Sequence, residues 1–167
     1  MGEVRQIGPI LLAQYIVDFL NKKGQAVSHL KLQKLIYYID AWHYVYFDMP
    51  MIKEDFQAWM HGPVVREVWD EFKDKSVLFT PIEISSEGVD LSTYLMPDQI
   101  ELINDVLEEY GNKTAYYLEC LTHSEEPWRM ARRGYAPTER CEVIMSKNFM
   151  KEFYGQKLYG KDNTETT

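Results

Sequence analysis

Residues 28–47 constrain this chain more than any other stretch. At 100° per residue, Leu32, Ile36, Ile39 and His43 fall on one side of a helix, with Leu35 and Tyr46 beside them. Lys31, Lys34, Tyr38, Trp42 and Val45 share a neighbouring face, and Gln33, Asp40 and Tyr44 leave only a narrow polar arc. A helix apolar over most of its circumference must be enclosed by its neighbours. Ser28 is a side-chain cap for its start, and Asp48-Met49-Pro50 breaks its end. The expectation is a largely buried central helix over 28–47.

The flanking sequence supplies helices to surround it. Ile10, Leu11, Tyr15, Ile16, Phe19 and Leu20 recur at three- and four-residue spacing, with Pro9 at the start and Gly24 past the end, so 9–22 reads as an amphipathic helix. Residues 51–60 read as an extended segment or tight loop. Gly62-Pro63 reads as the start of the next helix, with Val64, Val68, Trp69 and Phe72 as its apolar edge. Pro81, the β-branched Val77, Ile82 and Ile84, and the Ser85-Ser86-Glu87-Gly88 run predict an extended or hairpin excursion near 76–96. Helices follow from Pro97 to Tyr110, from Thr114 to about Thr122, after a Ser124 cap with Glu125 and Glu126 near its positive end, and over about 146–158. The fold class is mainly α: a compact single-domain bundle of about six to seven helices around the central one. Residues 1–159 make the domain and 160–167 a polar, disordered tail.

Charge and cysteine content bound the function. The net charge is -8, and residues 71–126 hold thirteen acids against three bases, while Arg129, Arg132, Arg133 and Arg140 make the C-terminal part mildly basic. An acidic middle repels phosphate backbones and attracts a basic partner, which disfavours nucleic acid as the main ligand. No apolar run approaches a membrane span and the N-terminus has no signal-like segment, so no membrane association and a cytoplasmic location are expected. Cys120 and Cys141 form no metal or disulfide framework and read as reduced structural thiols, Cys120 buried.

Catalytic chemistry finds little support. His29, His43, His61 and His123 form no short-range ligand pair, so no metal or other cofactor is expected; hydrogen bonding to buried backbone accounts for them. Cys120 and His123 share a helical face, but Glu125 and Glu126 follow, and a reactive thiolate needs an electropositive setting. Paired acids such as Asp98/Glu101 and Glu108/Glu109 read as a solvated helix face. What remains is recognition by surface, for which four Trp and twelve Tyr supply material.

Three ordered motifs carry a resemblance. They are Lys31-Leu32-Gln33-Lys34-Leu35-Ile36-Tyr37-Tyr38 with Ala41-Trp42-His43; Phe56, Ala58-Trp59 and Gly62-Pro63-Val64-Val65; and Tyr110-Gly111, Leu118, Thr122-His123, Pro127-Trp128 and Ala131-Arg132. Together they resemble the Panacea family, also called SocA-type antitoxin or phage-associated protein domains, over about residues 8–155. The resemblance implies a non-enzymatic antitoxin of a bacterial or prophage toxin–antitoxin module that neutralises a cognate toxin by direct contact. An alternative within it is an adapter delivering a toxin or other client to a Clp-type protease, or a phage-encoded host-interaction protein; homo-oligomers are compatible with either. The partner surface is expected to draw on Lys31, Lys34, Tyr38, Trp42 and His43, on Trp59, His61, Gly62 and Pro63, and on His123 and Trp128.

Overall fold

The computed structural model describes residues 2–75, 80–82 and 88–165. Among them are seven α-helices, one 3-10 turn (Leu91–Thr93) and one hairpin: α1 (Pro9–Lys22), α2 (His29–Phe47), β1 (Phe56–Trp59), β2 (Gly62–Val65), α3 (Arg66–Phe72), α4 (Pro97–Tyr110), α5 (Ala115–Ser124), α6 (Glu126–Ala131) and α7 (Lys147–Glu165). Of the 76–96 excursion, 76–79 and 83–87 lie outside the described residues. Within it Pro81 bridges Ser28, and Ile82 N–H donates to Val27 O at 2.8 Å.

The central helix starts where its sequence places it. The Ser28 hydroxyl accepts from Lys31 N–H at 3.2 Å, and Asp48 ends α2 in the left-handed region. Ile, Tyr and Trp residues are poor helix formers, so propensity does not hold α2. Packing does: Leu32, Leu35, Ile36, Tyr38, Ile39 and Ala41 are fully buried, and α1, α3, α4, α5, α7 and β2 all pack against the helix. Each such large aliphatic side chain contributes about 1.5–3 kcal/mol on burial.

The narrow polar arc is also inside. Gln33 and Asp40 are buried, and each serves as a backbone partner for an irregular segment. Gln33 Oε1 accepts from Val65 N–H (2.9 Å) while its Nε2 donates to Val65 O (3.4 Å), so one amide finishes the end of β2. Asp40 accepts from Ile52 N–H at 2.9 Å and pairs with Lys147 at 3.0 Å, tying the 48–55 connection to α7. His43 faces Met49 O on one side and Gln99 on the other, and Gln99 also donates to Arg5 O (2.7 Å) and accepts from Met96 N–H at the start of α4.

Two expectations are corrected. Gly62-Pro63 does not begin a helix: it belongs to β2, antiparallel to β1 with Trp59 opposite Gly62 and Phe56 opposite Val65, and α3 begins at Arg66. The turn needs a residue with φ of +119° at Gly62, and the strand is stabilised on its far side by 143–145, where Ala58 N–H donates to Val143 O and Met145 N–H to Phe56 O. Ser124 does not cap α6; it ends α5, its hydroxyl donating to Leu121 O. Glu125 stands at the start of α6 as expected, and it is buried, accepting from the hydroxyls of Tyr38 (2.6 Å) and Tyr154 (2.9 Å) and pairing with Lys157 at 3.0 Å. The last helix, α7, has its bounds at Lys147 and Glu165.

Replacing Gln33 by Leu keeps the size of the side chain but strips the hydrogen-bond partner from two buried groups of Val65. The expected cost is about 1–3 kcal/mol, read as a lower urea midpoint with an unchanged slope.

Candidate functional site

The β1–β2 hairpin is clamped from both sides, and the clamps bring the three sequence motifs together. From α6, Trp128 Nε1–H donates to Trp59 O (2.8 Å). Arg132, buried, donates to Ala58 O (2.9 Å), Ala136 O (2.8 Å) and Glu139 O (2.6 Å), with its guanidinium 5.2 Å from the Trp128 ring centre. His123 stacks on Trp128 at 3.8 Å and 8°. At the turn, His61 pairs with Glu119 of α5 at 2.8 Å.

Lys34 lies directly beneath this turn. A Cβ on Gly62 would sit 2.9 Å from Lys34 Cε and 3.1 Å from both Lys34 Nζ and Thr122 Oγ1, so only glycine lets the strand pass over the lysine. Lys34 is fully buried, and its Nζ has no hydrogen-bond partner among the described residues. Burial pushes its pKa down to about 7, against a smaller opposing pull from the Glu119 carboxylate. One helical turn earlier, burial and the Lys34 charge hold His29 at about 4. His29 is therefore neutral at pH 7: its Nε2 accepts from Gln33 Nε2 (3.1 Å), leaving the proton on Nδ1, and its ring stacks on Trp69 at 4.7 Å.

Beside the hairpin opens a cleft of about 490 Å³ between β1–β2, α3 and the 138–142 segment. Trp59 and Trp69 meet edge to face at 5.4 Å in its wall, with the Arg66 guanidinium 5.8 Å from the Trp59 ring centre. Glu142 bridges Arg66 (3.1 Å) and Arg140 (2.7 Å) at its rim. A mostly apolar concavity with tryptophan walls and arginine at the edge is chemically suited to receive an apolar or aromatic side chain.

The predicted partner residues divide among three places. Trp59 and His61 line the cleft. Lys34, Gly62, Pro63, His123 and Trp128 lie within or under the hairpin, where Lys34, Gly62, Pro63 and Trp128 are buried. The others are away from it: Lys31 Nζ donates to Gly111 O at the end of α4, Tyr38 reaches Glu125, His43 packs inside near Gln99, and Trp42 Nε1–H donates to Tyr110 OH (3.0 Å). The side chains of Lys34, Tyr38 and His43 reach no surface, so any part in recognition passes through the elements they hold. Sequence reasoning missed Arg66, Trp69 and Arg140 as cleft residues. Reading Gly62-Pro63 as a helix start hid the hairpin that sets Trp59 against Trp69; the two-residue spacer Met60-His61 between Phe56–Trp59 and Gly62–Val65 was the available signal.

Two further points concern reactivity. Cys120, expected to be buried, is exposed on α5, while Cys141 is the buried thiol. No cluster of three or more His, Cys, Asp or Glu residues able to hold a metal ion occurs among the described residues, and no helix there is long and apolar enough to cross a membrane.

The depressed pKa values set the pH dependence of stability. His29 binds its proton less readily folded, at about 4, than at its ordinary 6.5. Its contribution is complete above 6.5 and is lost as pH falls towards 4. Lys34, at about 7 against 10.5, contributes fully above 10.5 and loses that contribution as pH falls towards 7. Each group adds at most about 1.4 kcal/mol per pH unit. In urea unfolding followed across pH, Lys34→Met should flatten the upper window. His29→Gln should reduce the slope of the lower one without abolishing it, because burial also depresses His43 and His123.

The sequence matches the family model described as antitoxin SocA-like, Panacea domain, over residues 32–129. No curated protein matches the chain, and no solved structure does. The matched span begins within α2 and ends in α6, taking in the hairpin, the buried lysine and the Trp128 clamp. With more than half of its length matched, the chain belongs to the SocA-like antitoxin family of Panacea-domain proteins.

Proposed function

We propose that this protein is an antitoxin that neutralises a cognate toxin by direct binding, with the hairpin cleft as the primary contact. The observation that carries the reading is the Trp59–Trp69 wall with Arg66 and Arg140 at its rim, presented by a family whose description is antitoxin-like. Trp and Arg are the side chains that most often dominate binding energy at protein interfaces, because they bring large area at modest entropic cost. Trp59 is fixed by a hydrogen bond from its Nε1 to Gln57 Oε1 (2.8 Å) and by Trp128 on its carbonyl, so little ordering remains to be done on binding.

The arginines argue for a protein rather than a phosphate backbone as partner. Arg132 is spent on backbone carbonyls, Arg129 pairs with Glu126 at 3.4 Å, and Arg140 is bound to Glu142. Of the C-terminal arginines, all but the exposed Arg133 would have to break such contacts to meet phosphate, in a chain of net charge -8. Lys34 and the residues round it serve the cleft from below: the lysine and Gly62 set the height of the turn from which Met60 and His61 project.

Co-expression with the adjacent gene tests the reading. That gene is expected to arrest growth alone and to be harmless beside this one; a neighbour without toxicity would remove the antitoxin role. Trp59→Ala should weaken toxin binding by about 2 kcal/mol or more, roughly thirtyfold, with the helical circular dichroism unchanged. The lifetime of the toxin in the same cells separates blocking, which preserves it, from delivery to a protease, which shortens it.

A further inference from the structure

Away from the hairpin, α2 and α4 leave a second concavity of about 570 Å³ between them. Its floor is apolar and aromatic: Trp42, Phe47, Val106 and Tyr110 are part or fully buried, and Tyr46 is 56% exposed. Along α4, Leu102, Val106 and Tyr110 form one row at four-residue spacing. Asp98, Glu101, Asp105 and Glu109 form a second row, three or four residues apart, at the lip of the same groove. From Asp98 to Tyr110 these rows run about 18 Å, some three turns of helix.

The acidic row is not explained by α4 itself. Asp98 lies in the first turn, where the helix dipole favours an acid, but Glu109 lies in the last turn, where the dipole opposes it and no basic residue compensates. Like charges at these spacings destabilise a free helix. The neighbouring Glu108 is paired with Lys23, whereas Asp98, Glu101, Asp105 and Glu109 have no ion-pair partner among the described residues. The rings of Trp42 and Tyr46, 6.2 Å apart, line the α2 side of the groove, and a cation over an aromatic ring gains from its quadrupole.

We infer that the α2–α4 groove is a docking site for an amphipathic helix of a partner protein bearing lysine or arginine along one edge of its apolar face. The apolar face lies on Leu102, Val106 and Trp42; the basic edge pairs with Glu101, Asp105 and Glu109. Charge complementarity selects this occupant over a second copy of the chain, which is itself strongly acidic. The site is separate from the hairpin cleft and does not depend on what that cleft binds.

Calorimetric titration of the full-length protein with a synthetic three- to four-turn amphipathic peptide of leucine and lysine tests the inference, with a leucine–glutamate peptide as control. The lysine peptide should bind and the glutamate peptide should not. Raising salt from about 0.1 M to about 1 M, which shortens the screening length from about 10 Å to about 3 Å, should weaken binding. The exposed double variant Glu101→Lys with Asp105→Lys should lose roughly tenfold or more in affinity, as should Leu102→Arg. The remote double variant Glu67→Lys with Asp70→Lys, on α3 at the opposite end of α2, should match the parent. Absence of binding, or equal losses in the groove and remote variants, would overturn the site. Sedimentation as a dimer that Leu102→Arg dissociates would also overturn it, assigning the groove to a second copy.

Discussion

The enclosure of α2 is the constraint on which the rest depends. Surrounded by helices α1, α3, α4, α5 and α7 and by β2, the 29–41 stretch of α2 has no water to satisfy its polar side chains. Each must then find a partner inside. Gln33 supplies the hydrogen bonds at the end of β2, Asp40 holds the connection at Ile52 and the start of α7, His43 bonds the turn at Met49, and Lys31 the end of α4. The polar residues of the central helix are therefore the joints of the fold. The apolar ones provide most of the stabilisation, and the polar ones decide where each neighbouring segment attaches.

Lys34 stands apart because it is buried with no such partner. Its neighbour Glu119 is bound to His61, and the hairpin closes over it because Gly62 has no side chain. A buried, half-neutral amine is costly to a fold, and here it lies under the turn that shapes the cleft. Lys34 Nζ and His123 Nε2 are buried without hydrogen-bond partners among the described residues, while the hairpin is held by Gln33, Trp128 and Arg132. The result is a Trp59 held by Gln57 and Trp128 and set edge to face against Trp69.

The two concavities differ in chemistry. The hairpin cleft is walled by tryptophans and rimmed with arginines already paired to Glu142; the α2–α4 groove has an aromatic floor and unpaired carboxylates. A partner that engages the first must bring apolar bulk, and one that engages the second must bring positive charge. The acidity of residues 71–126 is therefore concentrated where it faces a groove, in α4, as well as dispersed over solvent.

The helices were legible because their signals are local. Period, caps and breakers placed α1, α2 and α4 nearly to the residue, and the all-round apolarity of 28–47 identified the buried helix. The hairpin was not, since Gly-Pro is compatible with both a helix start and a strand following a tight turn, and only pairing with 56–59 decides between them. Glu125 shows the same limit: its place at a helix start was legible, but not that the hydroxyls of Tyr38 and Tyr154, distant in sequence, make it a buried hub. The motif residues were recognised together, but not their division into those beneath the hairpin, those lining the cleft and those elsewhere in α2. Sequence alone determined the helical architecture, the enclosed central helix and the family, because periodicity and ordered motifs are written in short stretches. Only the tertiary structure decided which polar side chains are structural joints and which line a surface concavity, because that depends on what packs against each of them from far along the chain.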